Sequence, residues 1–297
     1  MKSMPDLLCE VDLIAVLVTL GSDGPFVLTK DRVTLPNQAL DAKRRSLQRG
    51  FRQWANTLTH NSLRSVEQLY TFADQSDAGT VRRLISISYL AISQSLPQDH
   101  YDVCSFYDYF PWEDRRQENK SLQYLQKELM IWAKNDPEKQ ARITHYFGLN
   151  NAQWNDEFVL SRYEILWEAG LVAESSKERT VPYSGLEMHH DYRRILATAF
   201  SRLRAKIRYS PIIFDFLPEV FTLNQLQHAQ ECITGRLIHK SNFRRLVLHQ
   251  NLVENTGKRD HSAPGRPASL YRFCQKNDAA CYLSGAVLPL SEETLKI

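Results

Sequence analysis

The chain has few of the residues from which metal or disulfide sites are built. No two of its cysteines form a Cys-x-x-Cys pair; the five are Cys9, Cys104, Cys232, Cys274 and Cys281. An odd number of isolated thiols argues against a disulfide framework and a structural zinc site, and it is typical of a reducing cytoplasm. His189 and His190 do not make up for this, because adjacent residues point to different faces of a helix. We therefore expect no bound metal.

Long apolar runs and glycine-rich motifs are also missing. The most apolar stretch, 11–20, has only the length of a strand and contains Asp12, and the N-terminus MKSMPDLLCE lacks the apolar core of a signal peptide. These features predict a cytoplasmic protein that does not enter a membrane. The chain has no Walker or Rossmann glycine motif and no G-x-S-x-G elbow. The sequence therefore gives no support for a P-loop or Rossmann nucleotide-binding protein or for an α/β-hydrolase.

The charge of the chain is small overall but unevenly distributed. The formal net charge of the 297 residues is +3. Residues 189–276 hold 15 Lys and Arg against 6 Asp and Glu, a balance of +9, and the rest holds 22 against 28, a balance of −6. A basic C-terminal module on an acidic body is typical of a nucleic-acid-binding protein, although a merely solvated basic face would give the same count.

Hydrophobic patterns divide the chain into an α/β part, a helical part and a basic C-terminal part. The domains are predicted at 1–95, 96–187 and 188–276, followed by a tail at 277–297. In the first part we expect strands at 11–20, 25–29, 66–72 and 84–92 and a helix at 39–59. The middle carries helical spacing at 120–133 and 155–169, with a further helix starting at Pro137. The last part is predicted to hold a helix at 189–209, a strand at 212–216 and a helix at 224–233.

The most specific pattern lies near the C-terminus, in HKSNFRRLVLHQN at 239–251 and GRPASLYRF at 265–273. The first segment reads as a short basic helix with Phe243, Leu246 and Val247 on its apolar side, and Thr222 and Gly235 bound the helix before it. The second segment pairs with 252–256 as a β-wing. A basic helix followed by a basic hairpin predicts a winged helix-turn-helix that binds duplex DNA; the alternative is a winged helix used for protein contacts.

The residues expected to contact DNA lie on that helix and that wing. Arginine can read guanine and asparagine can read adenine, whereas lysine and serine more often hold phosphates. Glycines in the wing allow the backbone to approach DNA closely. The predicted DNA-binding residues are Lys240, Ser241, Asn242, Arg244, Arg245, Lys258, Arg259 and Arg266.

Three groups of segments resemble one family. They are FTLNQLQ, GRLIHKSNFRRLVL, LVENTG and GRPASLYRF; VEQLYTF with LISISYLAI; and SRYEILWEAGLVAES. Together they are similar to bacterial Nudix-related transcriptional regulators of NAD metabolism of the NrtR and NadQ type, with the helical middle closer to NadQ. The resemblance implies an N-terminal Nudix-like mixed α/β sandwich that senses a nucleotide, and a C-terminal winged helix that binds operator DNA as a homodimer.

The Nudix signature itself is degenerate in this chain. A hydrolase needs the pattern G-x5-E-x7-R-E-U-x-E-E-x-G-U (U, aliphatic), whose glutamates hold Mg²⁺ against a pyrophosphate. Aligned on Arg52, the metal-binding glutamates are replaced by Gln53, Asn56 and Thr57. The leading glycine, the first glutamate and the closing glycine become Gln38, Arg44 and Thr59. Without these carboxylates we predict a protein that is not an enzyme.

The sequence therefore predicts a DNA-binding regulator, most simply a repressor of NAD biosynthesis or salvage genes, with no required cofactor. The resemblance implies an effector such as NAD, ADP-ribose or ATP. Arginines near the former metal helix suit a phosphate without a metal, and the predicted ligand residues are Arg44, Arg49, Arg52, Gln68 and Tyr70. Two alternatives stay open. One is a divergent Nudix pyrophosphohydrolase in which Glu67 or Glu113 holds the metal, and the other is a nucleotide-responsive protein that acts through protein partners.

Overall fold

The structure is a computed structural model that describes residues 8–40, 46–60, 63–74, 82–97, 100–175, 182–261 and 267–274. An N-terminal body carries a sheet formed by β1 (Leu8–Leu20), β2 (Pro25–Thr29), β3 (Asn37–Ala39), β4 (Ser65–Asp74), β5 (Arg82–Ile92) and β6 (Asp102–Ser105). Its helices are α1 (Leu47–Thr59), α2 (Phe106–Tyr109), α3 (Lys120–Trp132), α4 (Pro137–Phe147), α5 (Val159–Glu168) and α6 (Tyr192–Tyr209). The C-terminal part holds β7 (Phe221–Thr222), α7 (Leu223–Thr234), α8 (Lys240–His249), β8 (Val253–Asp260) and β9 (Ala268–Phe273).

The sheet of the body is mixed and has β1 at its centre. The order is β4-β5-β1-β2-β6, with β3 also paired to β1. Strands β1 and β5 run parallel from Leu8↔Arg82 to Val18↔Ile92, and the other pairs are antiparallel. The apolar run 13–18 is fully buried because the sheet is covered on both faces. The long apolar run of β1 therefore reflects a central strand rather than a membrane segment.

Alternate residues of β1 supply two separate apolar layers. Leu13, Ala15 and Leu17 pack in a cluster with Phe51 and Ala55 of α1. The residues between them, Ile14, Val16 and Val18, belong to a larger cluster that contains the buried side of α6. Period-two alternation thus places one helix on each face of the sheet. The result is the α/β sandwich that the sequence predicts.

Two predicted elements and one predicted domain boundary differ from the structure. The helix expected at 39–59 begins only at Leu47, because Ser46 accepts a hydrogen bond from the Arg49 backbone N–H and caps it. The strand expected at 212–216 is a 3₁₀ helix at 211–216, where Pro211 fixes the first turn and four of the six side chains are buried without alternation. Strand β6 lies beyond the boundary predicted after residue 95 and pairs with β2, so the sheet extends to Ser105.

Helix α6 connects the body to the C-terminal part. It begins at Tyr192 rather than at residue 189, and its buried side, which includes Phe200 and Leu203, packs in the main core. It contacts α5 on one side and β4 and β5 on another. The sequence groups this helix with the winged helix, but its packing makes it part of the body. Within the described ranges, no helix combines the length and the apolar character that crossing a membrane requires.

Candidate nucleic-acid interface

Local sequence signals define the two helices of the C-terminal part. The Thr222 hydroxyl accepts from the Gln225 backbone N–H at 3.2 Å, and the Gln225 side chain accepts from the Thr222 N–H at 2.7 Å, which forms a capping box at the start of α7. Gly235 ends α7 with a left-handed φ of 71°. Both boundaries match the prediction. Helix α8 begins after His239, whose Nδ1 lies 3.0 Å from Ser241 Oγ.

Helix α8 is anchored by its apolar side. Phe243 and Val247 have no exposed surface, and Leu246 is half-buried. This spacing of i, i+3 and i+4 is the one that the sequence predicts. The opposite side carries exposed residues, namely Lys240, Ser241 and Arg245, together with the partly exposed Asn242 and Arg244.

Two asparagines hold the arginines of α8. The Nη2 group of Arg244 donates to Oδ1 of Asn224 on α7 at 2.8 Å. The Nη2 group of Arg245 donates to Oδ1 of Asn242 on α8 itself at 3.1 Å. The first bond joins the two helices of the helix-turn-helix, whereas the second stays within one helix. Asn224 is a residue that sequence reasoning missed, because its role depends on a contact between helices.

The wing places two further cations at the surface. Strands β8 and β9 are antiparallel, with an irregular register between Asn255 and Arg259. Gly257 lies there with a φ of 76°, and its N–H donates to Asn255 Oδ1 at 2.8 Å. Lys258 and Arg259 are exposed on this strand. The last predicted DNA-binding residue, Arg266, lies outside the described residues.

The basic residues of α6 do not belong to this surface. Each of them forms an ion pair with an acidic residue of the body, and the pairs are Arg193–Glu174, Arg194–Glu164, Arg202–Glu67, Arg204–Glu113, Lys206–Glu67 and Arg208–Glu157. The basic balance counted from residue 189 onward therefore overstates the charge available to DNA. The candidate interface is the narrower surface of α8 and the wing.

A buried ionic cluster joins the body to the winged helix. Glu113 is fully buried and receives two hydrogen bonds from Arg162, at 2.6 and 2.9 Å, and one from Arg204 at 2.5 Å. Arg204 also donates from Nε to the carbonyl oxygen of Ile233 on α7 at 2.8 Å. Burial alone raises the pKa of Glu113, but the charges of Arg162 and Arg204 outweigh it and lower the pKa below its usual value. Glu113 is thus an ionised carboxylate that organises the joint.

The same joint contains direct contacts between the body and α7. The Tyr107 hydroxyl donates to the Cys232 carbonyl oxygen at 2.7 Å, and the Arg115 backbone N–H donates to the Gly235 carbonyl oxygen at 2.6 Å. His228 Nε2 lies 2.7 Å from the Ser22 carbonyl oxygen. We refer to Tyr107, Glu113, Arg115, Arg204 and the end of α7 as the interdomain joint. No local pattern in the sequence indicates the partners that Glu113 and its neighbours have on α6 and α7.

Among the predicted ligand residues, Arg49 and Arg52 lie on α1, and Gln68 and Tyr70 lie on β4. Arg44 lies outside the described residues, and Arg49 is exposed on α1. The surviving signature residue Arg52 donates from Nη1 to the Leu63 carbonyl oxygen at 2.8 Å, which ties α1 to the start of β4. Asn56, at a former glutamate position, accepts from the Leu63 N–H at 3.2 Å. Arg52 and Asn56, on the helix that corresponds to the metal-binding helix of a Nudix hydrolase, therefore both hold Leu63 in the segment before β4.

Gln68 and Tyr70 lie on either side of a β-bulge. The pairing of β4 with β5 shifts between Gln68 and Thr71. Gln68 accepts from the hydroxyl of Tyr89, which belongs to the layer beside α1, whereas Phe72 packs on the opposite layer. In a regular strand, Gln68 and Phe72 would share one face, but the extra residue in the bulge reverses the alternation and places them on opposite faces. Tyr70 is 61% exposed.

The glutamates proposed as substitute metal ligands are otherwise engaged. Glu113 is enclosed by two arginines, and Glu67 pairs with Lys206 at 2.7 Å. Among the described residues, no group of three or more His, Cys, Asp or Glu side chains is placed to hold a metal ion. Neither glutamate therefore supports the divergent-hydrolase hypothesis in this arrangement.

Comparison with known proteins identifies the C-terminal part. A family model described as the NrtR DNA-binding winged helix domain matches residues 213–273, which include α7, α8 and both wing strands. Over 141 residues the chain is 32% identical to the ADPR responsive transcriptional repressor NtrR of Acinetobacter baylyi, a match that covers 48% of this chain and 52% of that repressor. The chain thus spans about half the length of the curated relative it matches.

Solved structures are similar over nearly the whole chain. Shewanella oneidensis NrtR complexed with a 27mer DNA gives a TM-score of 0.52 at 21% identity, over 91% of this chain and 95% of that chain. A second structure of that protein gives 0.53 at 20%, over 91% and 96%. A MutT/nudix family protein from Enterococcus faecalis gives 0.51 at 15%, over 90% and 88%. At these identities the likeness establishes the fold. The predicted Nudix-like α/β domain with a C-terminal winged helix, and the resemblance to NrtR-type regulators, are confirmed.

Proposed function

We propose that this protein is a transcriptional repressor of NAD biosynthesis or salvage genes that binds operator DNA through α8 and the wing. The observation that carries the proposal is the coincidence of two independent features. The segment that matches the NrtR DNA-binding winged helix, 213–273, is also the segment that exposes Lys240, Arg244, Arg245, Lys258 and Arg259. Exposed cations on a helix and an adjacent wing suit the phosphates and base edges of duplex DNA.

The effector we propose is a nucleotide metabolite, with ADP-ribose as the first candidate and NAD and ATP as the others. The curated relative is described as ADPR responsive, and the body of this chain has the Nudix-like fold. The positions where a Nudix hydrolase carries metal-binding glutamates hold Gln53, Asn56 and Thr57. None of these side chains is a carboxylate, the ligand by which proteins usually hold Mg²⁺. We therefore propose binding without hydrolysis.

The interdomain joint offers a physical route from effector to DNA. Arg204 lies on α6, which packs under the sheet of the body, and it holds the carbonyl of Ile233 at the end of α7. A movement of the body that shifts α6 therefore moves the winged helix. In a homodimer, which we also propose, such a movement changes the spacing of the two α8 helices relative to half-sites about 34 Å apart. An effector acts only to the extent that it binds one spacing more tightly.

A DNA-binding assay tests this proposal. The full chain is titrated onto duplexes from its own upstream region and from NAD-gene promoters, with a random duplex as competitor and with or without ADP-ribose, NAD or ATP. Preference for one promoter that changes with one nucleotide supports the proposal. Equal affinity for promoter and random DNA refutes the regulatory function. In that case, capture of a protein partner only in the presence of nucleotide would support the alternative of a nucleotide-responsive protein that acts through protein partners.

Hydrolysis is measured separately on the same preparation. ADP-ribose and NADH are incubated with the protein and Mg²⁺, next to an active Nudix hydrolase and a sample without protein. We expect turnover equal to the sample without protein. Mg²⁺-dependent turnover above that level would support the divergent pyrophosphohydrolase instead.

A further inference from the structure

A single hydrogen bond connects the first helix of the helix-turn-helix to an arginine of the second. Asn224 lies in the first turn of α7, and its Oδ1 accepts from Arg244 Nη2 at 2.8 Å. Asn224 is exposed and Arg244 is partly exposed. A bond between two such side chains adds little to stability, because water competes for both partners. Its main consequence is therefore geometric, since it fixes the direction of the guanidinium group.

The rest of the Arg244 side chain restricts which donors DNA can reach. Its Nε atom is buried, which leaves the Nη groups as the accessible donors. Reading guanine requires two parallel N–H donors aimed at O6 and N7. One Nη2 hydrogen is held by Asn224, so the second Nη2 hydrogen and those of Nη1 stay available. A guanidinium group that is already held in place also loses less rotamer freedom on binding DNA than a mobile one.

We propose that Asn224 is a specificity-determining residue, which positions Arg244 to read a guanine in the operator. This inference rests on the proposed function. The neighbouring Arg245 differs, because it is exposed and its hydrogen bond to Asn242 remains within α8. Arg245 is not tied to a second element of the structure, and a guanidinium group without such a tie suits a phosphate. Asn224 itself acts through Arg244 and does not touch DNA.

The test compares base discrimination, not affinity alone. The full chain is titrated onto its operator and onto a set of duplexes in which each G·C pair is replaced by A·T in turn. Arg244→Ala identifies the guanine, because discrimination disappears at that position only. Asn224→Ala is expected to reduce discrimination at the same position about tenfold, with unchanged affinity for random DNA and an unchanged melting temperature. Combined with Arg244→Ala, it is expected to have no additional effect.

Two further variants complete the experiment. Asn224→Asp keeps the acceptor and is expected to retain discrimination. Its added negative charge weakens binding to every duplex alike, so most of that effect cancels when the affinity for the operator is divided by the affinity for a substituted duplex. Glu164→Ala is the matched control, because it removes the hydrogen-bond partner of the exposed Arg194 on α6, outside the interface, and it is expected to leave discrimination at the Arg244 position unchanged.

Three outcomes would overturn the inference. They are wild-type discrimination in Asn224→Ala, an equal loss in Glu164→Ala, and an equal loss of affinity of Asn224→Ala for operator and random DNA, which would mean that Asn224 itself contacts a phosphate. If the unmodified protein prefers no duplex over random DNA, the proposed function fails instead. The two failures are therefore distinguishable.

Discussion

Arg204 donates from Nε to the carbonyl oxygen of Ile233 at 2.8 Å, so a helix in the core of the body holds the end of a helix in the winged helix. The same guanidinium contacts Glu113 through Nη1 at 2.5 Å. One side chain thus links the turn that carries Glu113, helix α6 and helix α7. Because buried charges are costly to leave unpaired, breaking this link should cost several kcal/mol, on the order of 3–5 kcal/mol when one partner is removed.

Loss of the central carboxylate should destabilise the whole protein. Glu113→Gln keeps the shape of the side chain but removes the carboxylate that both Arg162 and Arg204 contact, which we expect to cost about 3–5 kcal/mol in the free energy of unfolding. Denaturant titration at pH 7 measures this loss. Glu118→Gln, on an exposed side chain, is the control and should change stability by less than about 0.5 kcal/mol. Wild-type stability in Glu113→Gln would contradict a structural role for the cluster.

The same carboxylate predicts the pH dependence of stability. The pKa of Glu113 is lower in the folded chain than in the unfolded chain, so its ion pairs contribute their full stability above the unfolded value of about 4.3. That contribution is lost as the pH falls through the folded pKa, where the carboxylate becomes protonated. The difference in unfolding free energy between wild type and Glu113→Gln should therefore shrink on acidification below pH of about 4. A difference that stays constant down to pH 3 would mean that the charge of Glu113 is irrelevant.

Two glycines allow the joint to be perturbed with a matched control. Gly235 and Gly170 have similar left-handed φ values of 71° and 70°. A Cβ on Gly235 would lie 2.2 Å from the Glu113 carbonyl oxygen and 2.9 Å from the Tyr107 hydroxyl, whereas a Cβ on Gly170 would meet nothing within 4 Å. Gly170→Ala should cost about 1 kcal/mol from backbone strain alone. Gly235→Ala should cost more and should also displace α7 from the body.

The functional consequence of Gly235→Ala follows from its position. If the joint transmits the effector signal, the change in DNA affinity caused by saturating nucleotide should be smaller in Gly235→Ala than in wild type and Gly170→Ala. Fluorescence anisotropy with and without nucleotide measures this ratio. An unchanged ratio in Gly235→Ala, with a measurably lower melting temperature, would show that the signal takes another route.

Sequence reasoning succeeded where the determinants are local. Thr222 caps the start of α7, Gly235 ends α7, and Phe243 and Val247 lie four residues apart on one side of α8. Each of these features depends on residues within one turn or two of the helix. The winged helix could therefore be predicted almost element by element.

It failed where the determinants are distant or where one residue alters the alternation. Glu113 and Arg204 are separated by 91 positions, and no local pattern indicates that they meet. In the sequence, the six cations of α6 suggest a DNA-binding face. In the structure, each of them pairs with an acidic residue of another element. The bulge after Gln68 moves Phe72 to the opposite layer, and hydrophobic periodicity gives no sign of the extra residue.

The two arginines of α1 should respond differently to substitution. Arg52→Ala removes the hydrogen bond to the Leu63 carbonyl and should lower the free energy of unfolding by about 1 kcal/mol. Arg49 is exposed, so Arg49→Ala should leave stability within about 0.5 kcal/mol of wild type. If the effector phosphates lie beside α1, Arg49→Ala weakens nucleotide binding in calorimetry. Equal nucleotide affinity in Arg49→Ala and wild type would remove Arg49 from the proposed ligand site.

The wing cations should act on DNA affinity in a way that does not depend on sequence. Lys258 and Arg259 are exposed on β8 beside Gly257, whose left-handed backbone supports the turn there. Because phosphate contacts release counterions, Lys258→Ala and Arg259→Ala should each lower the log–log salt slope by about 0.9 and weaken operator and random DNA alike. Lys127→Ala, on an exposed position of α3 in the body, removes the same charge and should leave the slope unchanged. If the wing reads bases, the variants should instead lose affinity for the operator only, with an unchanged salt slope. If the wing contacts a protein, the affinities for operator and random DNA should both stay unchanged.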